Sequence, residues 1–205
     1  MRAFSLRVVA LAALTVAAGC DRSATEPVVG SGTGGRSLLT LLGAPMTVNV
    51  VTRDTPLPAP LSASATIGVL GGVITLPGAG LKVVVPALSL TKSTNITVTA
   101  VAGNQLAYEF QPHGIRFLVP LVVTQNLVGT SALSGGLLPQ PLSAGYFANL
   151  SDLDPLAGTG LVTELLGTTV SLVTKTVTFS VVHFSGYLIA TGKESQTSGE
   201  ESAGQ

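Results

Sequence analysis

The chain of 205 residues contains no tryptophan and a single cysteine, Cys20. One thiol cannot close a disulfide within the chain, so any fold must be held by apolar burial and hydrogen bonds. Charge is scarce as well. Only 10% of residues are Asp, Glu, Lys or Arg, and the two signs balance at 10 each. That balance provides no basic stripe, and no nucleic-acid partner is expected. The two histidines, His113 and His183, need carboxylates to complete a metal site. The spacing of Glu109, Asp152, Asp154 and Glu164 matches no ligand motif, so no metal and no cofactor is expected. His113 in QPHGI reads as a turn residue, and SDLDP at 151–155 as an ordinary turn that lacks the alternating acids of a calcium loop. A Gly-rich phosphate loop and a GxS nucleophile elbow are both missing, which leaves no familiar catalytic motif of those kinds.

Apolar residues, by contrast, make up 46% of the chain, with Gly 24 and Pro 12. The N-terminus reads MRAFSLRVVALAALTVAAGC, with Arg2 and Arg7 ahead of a short apolar run at 8–18. A helix needs about 20 apolar residues to cross a bilayer, so this run predicts a secretory signal at 1–19 and not a permanent span. Ala17, Ala18 and Gly19 before Cys20 resemble the lipobox of bacterial lipoproteins, although Ala17 stands where Leu or Val is usual. The resemblance implies acylation of the Cys20 sulfur, with palmitate-type chains, and cleavage before it. Two acyl chains anchor firmly where one is marginal, since each buried methylene contributes about 0.8 kcal/mol. The alternative is an ordinary signal peptide that leaves Cys20 as a free thiol.

Residues 20–60 carry SGTGG and TPLPAPL, which predict a flexible linker from the lipidated cysteine, with MTVNVV at 46–51 alternating as an added strand would. The end, 192–205, is polar and acidic and is expected to be disordered. Between them, 61–191 has an apolar period near two, punctuated by Gly, Pro and Asn. Strands are expected at 67–70, 72–76, 81–85, 95–101, 107–110, 121–125, 145–147, 169–172, 176–182 and 186–190. About ten short strands without crossover helices predict an all-β, antiparallel β-sandwich. In TVTFSVV at 176–182, Val177, Phe179 and Val181 fall on one face and are expected to point inward. Phe110 and Phe117 are expected in the core. Pro77, Pro86, Pro112 and Pro120 lack an N–H and are expected at strand ends or edges. Residues 127–143 break the rhythm and predict a long loop, and 152–166 has room for one helical turn.

Three segments occur in a telling order: Gly71-Gly72 leading into ITLPGAGLKVVVP, then YEFQPHGIRFLVPL, then VTFSVVHFSGY. Together they resemble a ZU-five domain, the β-sandwich of ankyrins, netrin receptors and tight-junction scaffolds that is also found in bacterial exported proteins. The resemblance covers 66–189. Many relatives carry Pro-Pro-Gly after the third strand, whereas this chain has Pro86-Ala87-Leu88, which predicts a different turn there.

His183, Phe184 and Ser185 form an HFS triplet at the end of an expected strand, with Gly186 next. It resembles the self-cleavage motif of some ZU-five-containing proteins. The resemblance implies that His183 takes the Ser185 hydroxyl proton and the oxygen attacks the Phe184 carbonyl. The resulting ester is opened by water between Phe184 and Ser185, leaving 185–205 as a separate piece that stays associated through its strand at 186–190. A base and nucleophile two residues apart can meet across a bent turn, at about 2.6–3.2 Å. The other reading of the triplet is structural, with Phe184 in the core and Ser185 bonded to nearby backbone.

Function is therefore expected to be presentation of an interaction or structural module in the bacterial cell envelope. The module would face out of the cytoplasm, held to a membrane through lipid on Cys20, and bind a protein or glycan partner. Self-cleavage is the alternative and would be the only chemistry, so no enzyme acting on other molecules is expected. A hydrolase or carrier using a pocket under the 127–143 loop is a weaker alternative.

Overall fold

The computed structural model describes residues 45–134 and 141–193. The expected signal, Cys20, the linker up to residue 44, residues 135–140 and the tail from 194 lie outside the described residues. Sixteen strands are present among the described residues. The first eight are β1 (Met46–Val50), β2 (Thr52–Leu57), β3 (Leu61–Ile67), β4 (Gly72–Leu76), β5 (Leu81–Val85), β6 (Thr94–Ala100), β7 (Gly103–Gln105) and β8 (Ala107–Gln111). The rest are β9 (Arg116–Asn126), β10 (Leu142–Phe147), β11 (Leu153–Asp154), β12 (Thr159–Val162), β13 (Glu164–Leu166), β14 (Thr168–Ser171), β15 (Thr176–His183) and β16 (Gly186–Lys193).

These strands form an antiparallel all-β sandwich. A five-stranded sheet runs β14-β15-β9-β5-β4, and a nine-stranded sheet runs β11-β12-β1-β16-β8-β6-β3, with β10 also paired to β16 and β13 paired to β10. β2 and β7 form a small separate ribbon. Alternation in the sequence explains the packing. Ile74, Val83, Val123 and Phe179 are cross-strand partners in one row of the five-stranded sheet, and all four are buried. They meet Ile96, Val98, Tyr108, Phe110, Tyr187 and Ile189 of the other sheet in the main core. Each such side chain contributes about 1.5–3 kcal/mol by leaving water. A second, smaller core of Val48, Val50, Ala107, Phe147, Val162, Leu188 and Ala190 includes residues of β1, β8, β10, β12 and β16. Gly186 makes room in it: a Cβ there would come within 2.2 Å of the Phe147 ring.

The fold starts earlier than expected. The alternation at 46–51 does form a strand, β1, while 52–57, read as linker, forms β2, and Val48, Val50 and Val51 are buried. The proline signal misled because Pro56 falls between the two paired positions of β2, Thr52 and Leu57, where no ladder N–H is needed. Likewise 67–70 is mostly turn: β3 ends at Ile67, and Gly71 bends back at φ 77 with its Cα so close to Val85 O that a Cβ would sit at 2.3 Å. The 152–166 segment, expected to have room for one helical turn, shares only Asp152 with a short 3-10 turn, Leu150–Asp152, and otherwise carries β11, β12 and β13. β10 begins at Leu142, inside the interval read as loop, and β16 continues to Lys193, two residues into the interval read as tail. Three of the prolines obey the rule: Pro77 opens a 3-10 turn, and Pro86 and Pro112 directly follow β5 and β8. Pro120 lies within β9, at the irregularity where the pairing shifts from Leu121↔Val181 to Arg116↔His183. An irregular ladder tolerates the missing donor.

Candidate functional site

The HFS triplet forms the crossover from the five-stranded to the nine-stranded sheet. β15 ends at His183 and β16 begins at Gly186. Phe184 turns into the main core, where it stacks on Phe110 at 5.5 Å and meets Phe117 edge-on at 4.6 Å. The backbone of the crossover is held by the connection from β8 to β9. Phe184 N–H donates to Ile115 O at 3.0 Å, Gly114 N–H donates to Phe184 O at 3.5 Å, and Phe110 N–H donates to Ser185 O at 3.0 Å. Two of the quoted segments, YEFQPHGIRFLVPL and VTFSVVHFSGY, are thus brought together by main-chain bonds. Both histidines then line one open cleft of about 400 Å³, together with Gly114, Arg116, Tyr146, Ala148, Phe184 and Ser185.

His183 is half-buried, and its ring is held through Nδ1. Nδ1 lies 3.2 Å from the Tyr187 hydroxyl, which donates its proton to the His183 carbonyl at 2.7 Å. With that proton committed, the hydroxyl can only accept from Nδ1–H, which places the proton of a neutral ring on Nδ1. Nε2 lies 3.8 Å from Glu164 Oε2. Tyr146 closes over the ring edge-on at 5.0 Å. Burial pushes the Tyr187 hydroxyl well above the ordinary phenol range, with the neighbouring Glu164 and Tyr146 acting in the same direction. It stays a neutral donor, fixing the ring.

Ser185 is buried, and its hydroxyl donates to Phe147 O at 3.3 Å. No hydrogen bond joins it to His183. Of the triplet's expected contacts, the structure places Phe184 in the core and Ser185 on backbone, and it also puts one N–H, that of Gly114, on the carbonyl the serine would attack. Proton transfer from Ser185 to His183 requires a ring rotation or a bridging water. Tyr187, Tyr146 and Glu164 went unrecognised in the sequence; Tyr187, four residues past His183, was the one local signal.

A second polar group lies under a cleft of about 290 Å³ lined in part by Arg53, Ala79, Gln125 and Thr130. Arg53 is buried on β2. Its guanidinium donates to Gln105 O and, at 3.2 Å, to the Tyr108 hydroxyl, and it lies 5.7 Å from the centre of the Tyr108 ring. Tyr108 in turn donates to Gln125 Oε1, and Gln125 Nε2 reaches Ala79 O at 3.1 Å. Burial pushes the Tyr108 hydroxyl up to about 12, partly offset by Arg53. This cleft abuts the start of the 127–143 interval and is open. The Leu127 carbonyl accepts from the buried Thr130 hydroxyl at 2.7 Å, closing a local turn.

The remaining candidates serve turns. Asp152 Oδ2 accepts from Ala148 N–H and Asn149 N–H, and Asp154 Oδ1 accepts from Leu156 N–H and Ala157 N–H. His113 is exposed in the turn after β8. Among the described residues no group of three or more His, Cys, Asp or Glu side chains is placed to hold a metal ion, and no helix is long and apolar enough to cross a membrane. No protein-family model matches the chain, and no curated protein matches it either.

Proposed function

We propose that this chain is an exported envelope lipoprotein that presents a ZU-five-like β-sandwich from a membrane as an interaction module for a protein or glycan partner. The observation that carries this reading is the position of the one cysteine: Cys20 directly follows small residues at the end of a charged and then apolar leader. The antiparallel sandwich is the fold that the ZU-five resemblance implies, and strands fill most of the described residues from Met46 onward. Intact mass of protein extracted from membranes tests the anchor. Acylated Cys20 at the new N-terminus is expected, and Cys20→Ser should lose the acyl mass. A native chain with an unmodified thiol at Cys20 would overturn the reading.

A second reading, self-cleavage between Phe184 and Ser185, follows from the HFS triplet at the sheet crossover, where Gly114 N–H lies 3.5 Å from the Phe184 carbonyl oxygen and would have to close to about 2.7–3.1 Å to stabilise an oxyanion. In that step the Ser185 oxygen bonds to the Phe184 carbonyl carbon and its proton passes to His183. The C–N bond breaks as the Ser185 nitrogen takes up that proton, and water then hydrolyses the ester. The same mass spectrum tests it. Two pieces breaking after Phe184 are expected, becoming one in Ser185→Ala; a single intact species from the wild type would exclude it.

A further inference from the structure

We propose that the end of the five-stranded sheet marked by Leu70, Leu88 and Leu118 docks on an anionic lipid bilayer. The inference rests on the reading that the chain is tethered to a membrane through Cys20. It adds an orientation, with one particular face of the domain lying against the lipid.

The first observation is the exposure of large apolar side chains next to one another. Leu70, Leu88 and Leu118 are 92%, 63% and 72% exposed. Their backbones are neighbours, since Leu88 N–H donates to Val69 O at 2.7 Å and Leu118 N–H donates to Ser89 O at 3.1 Å. Single exposed leucines need no explanation, but a group at one end of one sheet does.

The second observation is the backbone at Leu88. Residues 86–89 form a tight turn closed by Ser89 N–H to Pro86 O at 3.3 Å, and Leu88 occupies its third position at φ 66. A positive φ there defines a type II turn, which glycine or asparagine fills without strain. A branched side chain accepts a steric penalty in that conformation. Leu88 gains no burial in return. A strained position that holds an exposed leucine is explained when something outside the fold receives the side chain.

Charge supplies the third observation and selects the occupant. Strands β4, β5, β9, β14 and β15 contain no Asp or Glu, and they carry Lys82 and Arg116. Lys92 lines a small cleft with Arg116 and Leu118. The carboxylates of the described residues, Asp54, Glu109, Asp152, Asp154 and Glu164, belong to other strands and turns. Apolar tips beside Lys92 and Arg116 fit a bilayer boundary, where leucines enter the acyl region and the cations meet anionic headgroups. From Cys20 to Met46 the chain spans roughly 90 Å at most when fully extended. A tether of that reach makes docking intramolecular, so a weak face suffices.

The test uses the full chain carrying Cys20→Ser and an N-terminal hexahistidine tag that tethers it to a trace of nickel-chelating lipid in every vesicle, with one new cysteine at Leu88, Leu118 or, as a control on the nine-stranded sheet, the exposed Ser64. Each is labelled with nitrobenzoxadiazole and mixed with vesicles of phosphatidylethanolamine and phosphatidylglycerol. At Leu88 and Leu118 the emission should shift to the blue and iodide quenching should fall severalfold, while the Ser64 probe stays unchanged. The effect should disappear on phosphatidylcholine vesicles. Unchanged iodide access at both leucines would overturn the proposal. So would protection without vesicles that grows with protein concentration, which marks a second copy on the face, and so would equal protection on phosphatidylcholine. Because Cys20 is replaced throughout, the result is independent of native acylation, which intact mass reads separately.

Discussion

Tyr108 and Tyr187 are register partners on β8 and β16 and their rings are buried in the same core, yet their hydroxyls end in different company. Tyr108 joins Arg53, Gln125 and the Ala79 carbonyl, a network with a buried cation and no carboxylate. Tyr187 joins His183, whose ring faces Glu164 and an open cleft. The first network resembles a weld: its side chains are buried at the floor of their cleft, and each partner lost leaves a buried polar atom unpaired. The second is a mount. Its hydroxyl uses one proton and one lone pair to hold a ring that stays accessible. Adjacent residues of one type therefore divide between holding the sandwich and presenting a side chain, and each prediction below strains one side of that division.

The largest effect should come from the middle of the HFS triplet. Phe184→Ala removes the ring that stacks on Phe110 and abuts Phe117, and truncating a buried Phe costs about 3–5 kcal/mol. Urea unfolding measures it. A loss under about 1 kcal/mol would show that the crossover is not part of the core and would remove the contrast between mount and weld.

Alkaline pH comes next. Tyr108 has a folded value raised from 10.0 to about 12 by burial, so its contribution to stability is fully present below the unfolded value. As pH rises through that window the unfolded chain releases the proton first, and stability falls by about 2–3 kcal/mol. Tyr187 is raised too and adds to the loss in the same direction. Urea midpoints at pH 9 and above pH 11 should therefore differ. Tyr108→Phe should flatten the fall, and an unchanged slope in that variant would place the titrating group elsewhere.

The paired hydroxyl deletions compare the two networks directly. Tyr108→Phe leaves Gln125 Oε1 and one Arg53 nitrogen short of a partner in a buried place, a cost of about 1–3 kcal/mol. Tyr187→Phe frees a half-buried histidine beside an open cleft, where water can substitute, and should cost about 1 kcal/mol or less. Equal losses would mean that both networks are sealed.

How much of this was legible in the sequence depends on whether a residue's role is local. TVTFSVV announced its inward Val177, Phe179 and Val181 by alternation, and all three are buried. Phe110 and Phe117 were expected in the core and lie there. Arg53 was hidden for a physical reason. It sits in a proline-rich stretch that reads as linker, and its partners Gln105 and Tyr108, with Gln125 bonded to Tyr108 in turn, are far along the chain, so no periodicity ties them together. The HFS triplet was visible as the end of a strand. The Gly114 donor on its carbonyl was not, because the contact depends on how the turn after β8 packs against the crossover. Short elements such as β7, β11 and β13 carry too few residues to show a period at all.

The smallest expected effect falls on the residue with the most chemical interest. Ser185 makes one side-chain hydrogen bond, to Phe147 O at 3.3 Å, long for a hydroxyl donor. Ser185→Ala should cost about 1 kcal/mol or less, and its backbone bond from Phe110 N–H to Ser185 O is retained. The variant is therefore expected to stay folded, which makes it a clean control for any break after Phe184. If Ser185→Ala destabilised the fold by as much as Phe184→Ala, the serine would belong to the weld.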